Sequence, residues 1–295
     1  MHAIIIRVNN MKVFNYWEFW VIVYLISATI FAHTFKKANR NMKNAGSLTI
    51  LLEIFTALFS LFIIPLFEFK IPTNPNIYFT LFIVTIIYAA TDRLNIEARY
   101  GLDPSTFSML KQLSTVFMII FGLLFFNEEL VINKIIGAVI IVLANVILAF
   151  EKGKFRINKY FIMAFISNFL FAIAMSINVN IAENFSIAFY TIITVLLPAI
   201  YIFIFERHNL KELKSELALY NKKQFLISAF TWALMLISSV KAYELGSIII
   251  VAPLFALTSI INALIEFFFT NDKNKLAQKL ISAILLIIGV ILVRF

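Results

Sequence analysis

Cysteine is absent from the 295 residues, and glycine occurs 7 times, proline 6 times and histidine 3 times. Without cysteine the chain has no disulfide, no thiolate metal ligand and no cysteine nucleophile, and its composition leaves the redox compartment open. So few glycines supply no Gly-rich phosphate loop, and no connecting segment is long enough to house a nucleotide-binding domain. His2, His33 and His208 stand apart from one another and near the ends of apolar runs, where each reads as a plain polar residue. With no zinc-type His-Glu spacing and no elbow serine, neither a metal nor a cofactor is expected, and the residues point away from an enzyme. Charge is scarce too. Charged residues make up 14% of the chain against 62% hydrophobic ones, and the mean hydropathy is +0.93. That balance exceeds what one water-soluble core can bury, so the apolar surface must be solvated by lipid.

What is present is long apolar runs. About 18 residues at 1.5 Å each suffice to span about 30 Å of hydrocarbon, and ten such runs can be drawn: 17–35, 48–67, 77–98, 105–126, 132–150, 160–178, 186–205, 224–243, 248–269 and 276–293. The first sixteen residues lack a compact apolar stretch ending in small residues, so the first run is expected to act as the insertion signal. The longest connection, 206–223, sets Leu210, Leu213, Leu217 and Tyr220 at helical spacing with lysines on the other face, the pattern of an amphipathic helix lying at the membrane interface.

The net charge of +9 is not spread evenly. Connections after the odd-numbered runs carry 17 of the Lys and Arg residues, those on the other face 5, and Arg93, Lys111 and Lys241 fall inside runs. Such a face bias is a topology signal, and nucleic acid is not an expected partner. By itself it places the odd-numbered connections in the cytoplasm and both termini outside.

A repeat organises the chain. Phe126-Asn127-Glu128-Glu129-Leu130, followed by Asn133-Lys134-Ile135-Ile136-Gly137-Ala138 and an apolar run, returns about 145 residues later as Thr270-Asn271-Asp272-Lys273, then Gln278-Lys279-Leu280-Ile281-Ser282-Ala283 and another apolar run. Each copy closes a set of five runs. An odd number of spans sends the second set into the membrane from the opposite face, so the expected fold is an all-α membrane protein of ten transmembrane helices in two inverted five-helix repeats. The expected divisions are an N-terminal tail 1–16, a first repeat 17–150, a charged linker 151–159 and a second repeat 160–295.

These residues resemble the EamA-type branch of the drug/metabolite transporter superfamily. The acidic end of the fourth run at Asn127-Glu128-Glu129-Leu130, the amide and base before Gly137, and Ala242-Tyr243-Glu244-Leu245-Gly246-Ser247 followed by Ala252-Pro253-Leu254-Phe255-Ala256 carry the likeness. The chain departs from the family pattern at Asn271-Asp272, where Glu is usual, and at Ala144-Asn145, where a Gly is customary. The resemblance implies a central cavity among the third, fourth, eighth and ninth helices, peripheral fifth and tenth helices through which a homodimer could form, and termini in the cytoplasm. Leu110-Lys111-Gln112-Leu113 further resembles a nucleotide-sugar transporter segment in which a lysine meets an anionic ligand.

Ionisable groups inside spans are costly and should face a cavity or a partner. Counted from the cation-rich face at helical rise, Glu53, Arg93, Glu97 and Lys111 lie roughly 7 to 14 Å deep, with Asp92 one residue deeper. Lys111 is the leading candidate for binding an anionic group. Glu53 with Thr56 and Ser60, and Thr258 with Asn262 and Glu266, form polar stripes expected to face inward. Arg93 and Glu97, four residues apart, could bind substrate or simply pair with each other. Near the other face, Lys241 with Glu244 or Glu183 reads as a gate or a structural bridge. Trp17 and Trp20 read as interfacial anchors, and Glu18 is too shallow for the membrane-central glutamate of cationic-drug exporters.

The expected function is secondary transport, by alternating access, of a small polar metabolite: an amino acid or related anionic or zwitterionic solute, exported across the cell membrane of a prokaryote. The alternatives are a nucleotide-sugar or phosphorylated-metabolite exchanger and, in a different class, a non-transporting scaffold or flippase subunit whose internal charges would all be paired off.

Overall fold

In the computed structural model, residues 12–63, 70–125, 131–151, 154–155, 157–178, 181, 184–246, 248–270 and 276–294 are described. The apolar runs fold as helices, the geometry that satisfies every backbone N–H and C=O within the segment when no water is present to do so. In chain order they are α1 (Trp17–Ala38), α2 (Ala45–Ile63), α3 (Pro75–Gly101), α4 (Pro104–Leu110), α5 (Leu113–Phe125), α6 (Ile132–Ala149), α7 (Lys159–Asn178), α8 (Ile187–Phe205), α9 (Leu210–Ala218), α10 (Lys222–Leu245), α11 (Ile248–Thr270) and α12 (Leu276–Arg294). The linker folds into a two-residue antiparallel ladder, Phe150–Glu151 against Lys154–Phe155. Among the described residues, 6 helices are long and apolar enough to cross a bilayer unaided, and α6 and α11 contribute shorter apolar segments.

Three local features follow from sequence chemistry. Pro75 and Pro104 open α3 and α4, where a missing N–H costs nothing, and the Asn74 side chain accepts the Asn76 N–H at 3.0 Å. The fourth apolar run is not one helix. It breaks at Lys111-Gln112, and Asn168 from α7 donates its amide to the Leu110 carbonyl at 3.1 Å while Ser114 Oγ donates to the Lys111 carbonyl at 2.8 Å. A run of apolar letters cannot announce that break, because one of the groups that make it tolerable, Asn168, lies on another helix. The amphipathic connection forms as expected: α9 turns 113° from α8, after Arg207 at φ 55°, and its Asn209/Glu212 capping box secures the start.

Packing is regular. α1 packs on α10 and α3 on α7; α2 packs on α8 and α6 on α12; α4 lies against α11. The α6–α12 seam is close because Gly137 and Gly289 face each other: a Cβ on Gly137 would sit 2.5 Å from the Gly289 carbonyl oxygen. Outer faces of these two helices remain apolar and exposed, through Ile135, Val139, Val142, Ile281, Ile284 and Ile288. The largest buried cluster gathers Trp20, Phe31, Phe35, Leu48, Phe225 and Trp232 from α1, α2 and α10.

Candidate functional site

Helix α3 divides the polar residues by its own periodicity. Tyr88, Asp92, Asn95 and Arg99, spaced by four, three and four, share one face and line a central cavity of about 1120 Å³. Arg93, Glu97 and Tyr100 share another and line a separate recess of about 390 Å³ with Lys159 and Glu206. The ionisable layer read from depth alone is therefore two sites, because Asp92 and Arg93 are neighbours in sequence but lie about 100° apart around the helix.

The central cavity runs from the end of the bundle that carries Asn15, Lys70, Ser186 and Glu244 to the level of Pro104 and Phe107 near the opposite end. Lys111 lines it at the α4–α5 break, beside Gln112, Ser114 and Thr115. Arg99 lines it too, with its guanidinium carbon 3.9 Å from the Phe107 ring centre, 5.0 Å from Phe31 and 5.3 Å from Trp232. Aromatic faces hold a cation without hydrogen-bonding it, and the Arg99 Nε is buried with no acceptor among the described residues. Neither Lys111 nor Arg99 has a carboxylate within salt-bridge distance among those residues. Asp92 supplies negative charge to the same wall and acts electrostatically on both cations. Asn95 is oriented by Ser167, whose Oγ donates to its Oδ1 at 2.7 Å. Asn262 also lines the cavity, and its Oδ1 is buried with no hydrogen-bond donor among the described residues.

Arg99 is the residue that sequence reading misplaced. Counted among the loop cations, it instead occupies the last turn of α3 and points at the cavity. The available signal was its position seven residues after Asp92, two helical turns along the same face.

The remaining candidates are placed elsewhere. Glu53 is buried, 3% exposed, and lies behind the cavity wall beside Asp92. Glu266 lies outside the cavity lining and its carboxylate is occupied: it accepts the Ser105 N–H at 2.7 Å, the Ser105 hydroxyl and Lys279 Nζ. Lys279 continues to Asp103 at 3.5 Å, and Lys36 reaches Asp103 at 3.0 Å. This network ties α1, α4, α11 and α12 together beneath the cavity. Burial would raise the Asp103 carboxyl, but Lys36 and Lys279 outweigh it and hold the group below the usual carboxylate range.

Arg93 pairs with Glu97 at 2.9 Å, as the four-residue step predicts, and also with Glu206 at 2.8 Å. Lys159 stands 3.7 Å from Glu97, and His208 bridges Glu206 at 3.0 Å and Glu212 at 3.2 Å. The His208 hydrogen bond, aided by the Asn209 N–H, holds the Glu212 carboxyl below its ordinary value. Both ion networks sit at the end of the bundle opposite Lys241 and Glu244, which pair along α10 at 2.9 Å and line the cavity. Glu183 and the acidic segments Asn127–Leu130 and Asn271–Asp272 lie outside the described residues.

A bundle of apolar helices around a central cavity whose largely apolar wall carries a few charged side chains defines a multi-pass membrane protein with an internal chamber. Residues 16–150 match the model of the EamA-like transporter family, a likeness confined to the first part of the chain. No curated protein matches the chain, whereas 22 chains of solved structures do. One of them, a crystal structure described only as that of a protein, superposes with a TM-score of 0.53 at 11% identity over 90% of this chain and 92% of its own. At that identity the likeness concerns the fold alone.

Proposed function

We propose that the chain is a secondary active transporter that carries an amino acid or a related zwitterionic or anionic solute through the central cavity by alternating access. The observation that carries this reading is the triad at the cavity floor: Arg99 and Lys111, two cations without carboxylate partners among the described residues, facing Asp92 on the same wall. Arg99 offers a planar fork to a carboxylate and Lys111 a point charge, while Asp92 matches an ammonium. In a scaffold such charges would have been paired off.

Alternation is supported by the packing. Exchanging each of the ten runs for the one five places later turns the α1–α10 contact into α7–α3 and maps the α2–α8, α6–α12 and α4/α5–α11 contacts onto themselves. That is the pattern of two inverted five-helix repeats, 17–150 and 160–295, joined by the linker 151–159, in a ten-span protein of the cell membrane. In this reading the Glu266–Lys279–Asp103–Lys36 network, buried at its Glu266–Lys279 end, seals one end of the cavity, and the outer apolar faces of α6 and α12 are the surfaces through which two copies pair.

A nucleotide-sugar or phosphorylated-metabolite exchanger is the second reading, favoured by a volume of about 1120 Å³ that exceeds the need of an amino acid. Thermal unfolding of the purified protein against pools of amino acids, nucleotide sugars and sugar phosphates separates the two, since a ligand of the folded state raises apparent stability. Stabilisation by the amino-acid pool, lost in Arg99→Gln, is expected. Stabilisation by nucleotide sugars alone would select the second reading, and no response to any pool would favour the scaffold.

A further inference from the structure

Glu53 occupies an unusual setting for a carboxyl. It sits on α2, is 3% exposed, and neither of its oxygens meets an N–H or O–H donor among the described residues. The group within hydrogen-bonding reach is a second carboxyl, that of Asp92 on α3. Two carboxylates facing each other repel, and an ionised Glu53, shut away from the cavity that Asp92 lines, is the costlier of the two. One proton removes both penalties, because a protonated carboxyl donates to its ionised neighbour.

The surroundings decide where that proton rests. Arg99 and Lys111 act on Asp92, whereas the charged neighbour that acts on Glu53 is Asp92 itself. Asp92 lines the cavity together with Arg99 and Lys111, whereas Glu53 is buried with no donor to either oxygen among the described residues, so the proton sits on Glu53. Other elements around the pair add Tyr24 from α1 and Tyr190 from α8 to the cavity wall; α10 places Lys241 and Glu244 on it, and α7 contributes the uncharged Asn168, Phe171 and Met175.

We propose that Glu53 and Asp92 hold one proton between them as a coupling site, and that this proton is released when the ammonium of a solute binds at Asp92. The inference rests on the solute reading above. In the exchange the Glu53 O–H bond breaks and the proton leaves through the cavity. The solute cation takes its place as the charge that compensates the two carboxylates. No electron moves. Solute and proton therefore compete, which couples solute movement in one direction to proton movement in the other. An ammonium within about 4 to 6 Å lowers a carboxyl's proton affinity by roughly ten-fold or more.

Infrared absorption of the purified full-length protein tests this through the C=O stretch of a protonated carboxyl. A band that vanishes as pH rises is expected in the unaltered protein and is expected to be missing from Glu53→Gln, whose amide keeps the shape and still donates to Asp92. Asp92→Asn checks the pairing: the surviving Glu53 band should shift in frequency. A pool of α-amino acids should move the titration of the unaltered protein about one pH unit towards acid. A band of equal intensity in Glu53→Gln overturns the proton site, even if the amino-acid pool stabilises the protein. A pool that stabilises the protein yet leaves the titration in place overturns the exchange. A pool that neither stabilises nor shifts overturns the solute reading and the exchange with it, while loss of the band in Glu53→Gln still identifies the proton-holding pair.

Discussion

Lys279→Ala should destabilise the protein more than Glu266→Ala, and the two changes together should cost much less than their sum. Both side chains are 9% exposed and in contact. Removing Lys279 leaves the Glu266 carboxylate its two Ser105 hydrogen bonds but takes away the buried cation in contact with it, and breaking a buried pair from one side costs about 3 to 5 kcal/mol. Removing Glu266 is milder, because Lys279 keeps Asp103 at 3.5 Å. That partner is 52% exposed, so the residual pair is worth about 1 kcal/mol at most and a net loss of about 2 to 4 kcal/mol remains. The double variant Glu266→Ala with Lys279→Ala strands neither member of the pair and should lose only about 1 to 2 kcal/mol, giving a coupling of several kcal/mol in the cycle. Reversible unfolding of the detergent-solubilised protein measures all four corners. Additive losses, or a Glu266→Ala variant weaker than Lys279→Ala, would refute the reasoning that an uncompensated buried charge sets the cost.

Three further expectations concern charge. Lys111→Ala should abolish solute binding while the protein still inserts, and Lys111→Arg should restore it only in part, since a planar fork replaces a compact ammonium; equilibrium binding on the purified variants decides it. Asp103 has its carboxyl held low by Lys36 and Lys279, so the stability it contributes is complete above the unfolded value near about 4 and is lost as pH falls through the lower folded value. Asp103→Asn should flatten the acid limb of a melting-temperature profile below about pH 4, leaving the neutral range with a constant offset. The cation bias predicts that Asn41→Cys, Ile157→Cys and Lys211→Cys resist an impermeant thiol reagent in intact cells while Thr73→Cys labels; the reverse pattern would show that the family's usual orientation prevails over the charges.

Reading the sequence reached further into the fold than into the site, for a physical reason. Span positions depend on the summed hydropathy of twenty or so residues, which a single sequence carries locally, so the apolar runs fold as helices in the described structure, 6 of them long and apolar enough to cross a bilayer, and 206–223 holds the amphipathic α9. Helix azimuth is also local: the four-residue step from Arg93 to Glu97 gave a true pair. What depends on two or more helices at once was not legible. The break at Lys111 rests on Asn168 from α7. Glu266 was assigned to the cavity because its stripe with Thr258 and Asn262 is inward, but inward at that depth means against Ser105 and Lys279. Arg99 was hidden by proximity to the end of its run, where arginines are ordinarily solvated; the aromatic rings that desolvate it come from α1, α4 and α10.

The account turns on the cavity floor, and equilibrium binding of a radiolabelled α-amino-acid pool to the purified protein addresses it most directly. Binding is expected in the unaltered protein, with affinity falling at least about ten-fold in Arg99→Gln and in Asp92→Asn, the loss of roughly one charge-assisted hydrogen bond each, and unchanged in Arg93→Gln, whose side chain lines the other recess. Equal affinity in Arg99→Gln and Asp92→Asn, or a loss confined to Arg93→Gln, would contradict the assignment of the central cavity as the solute site.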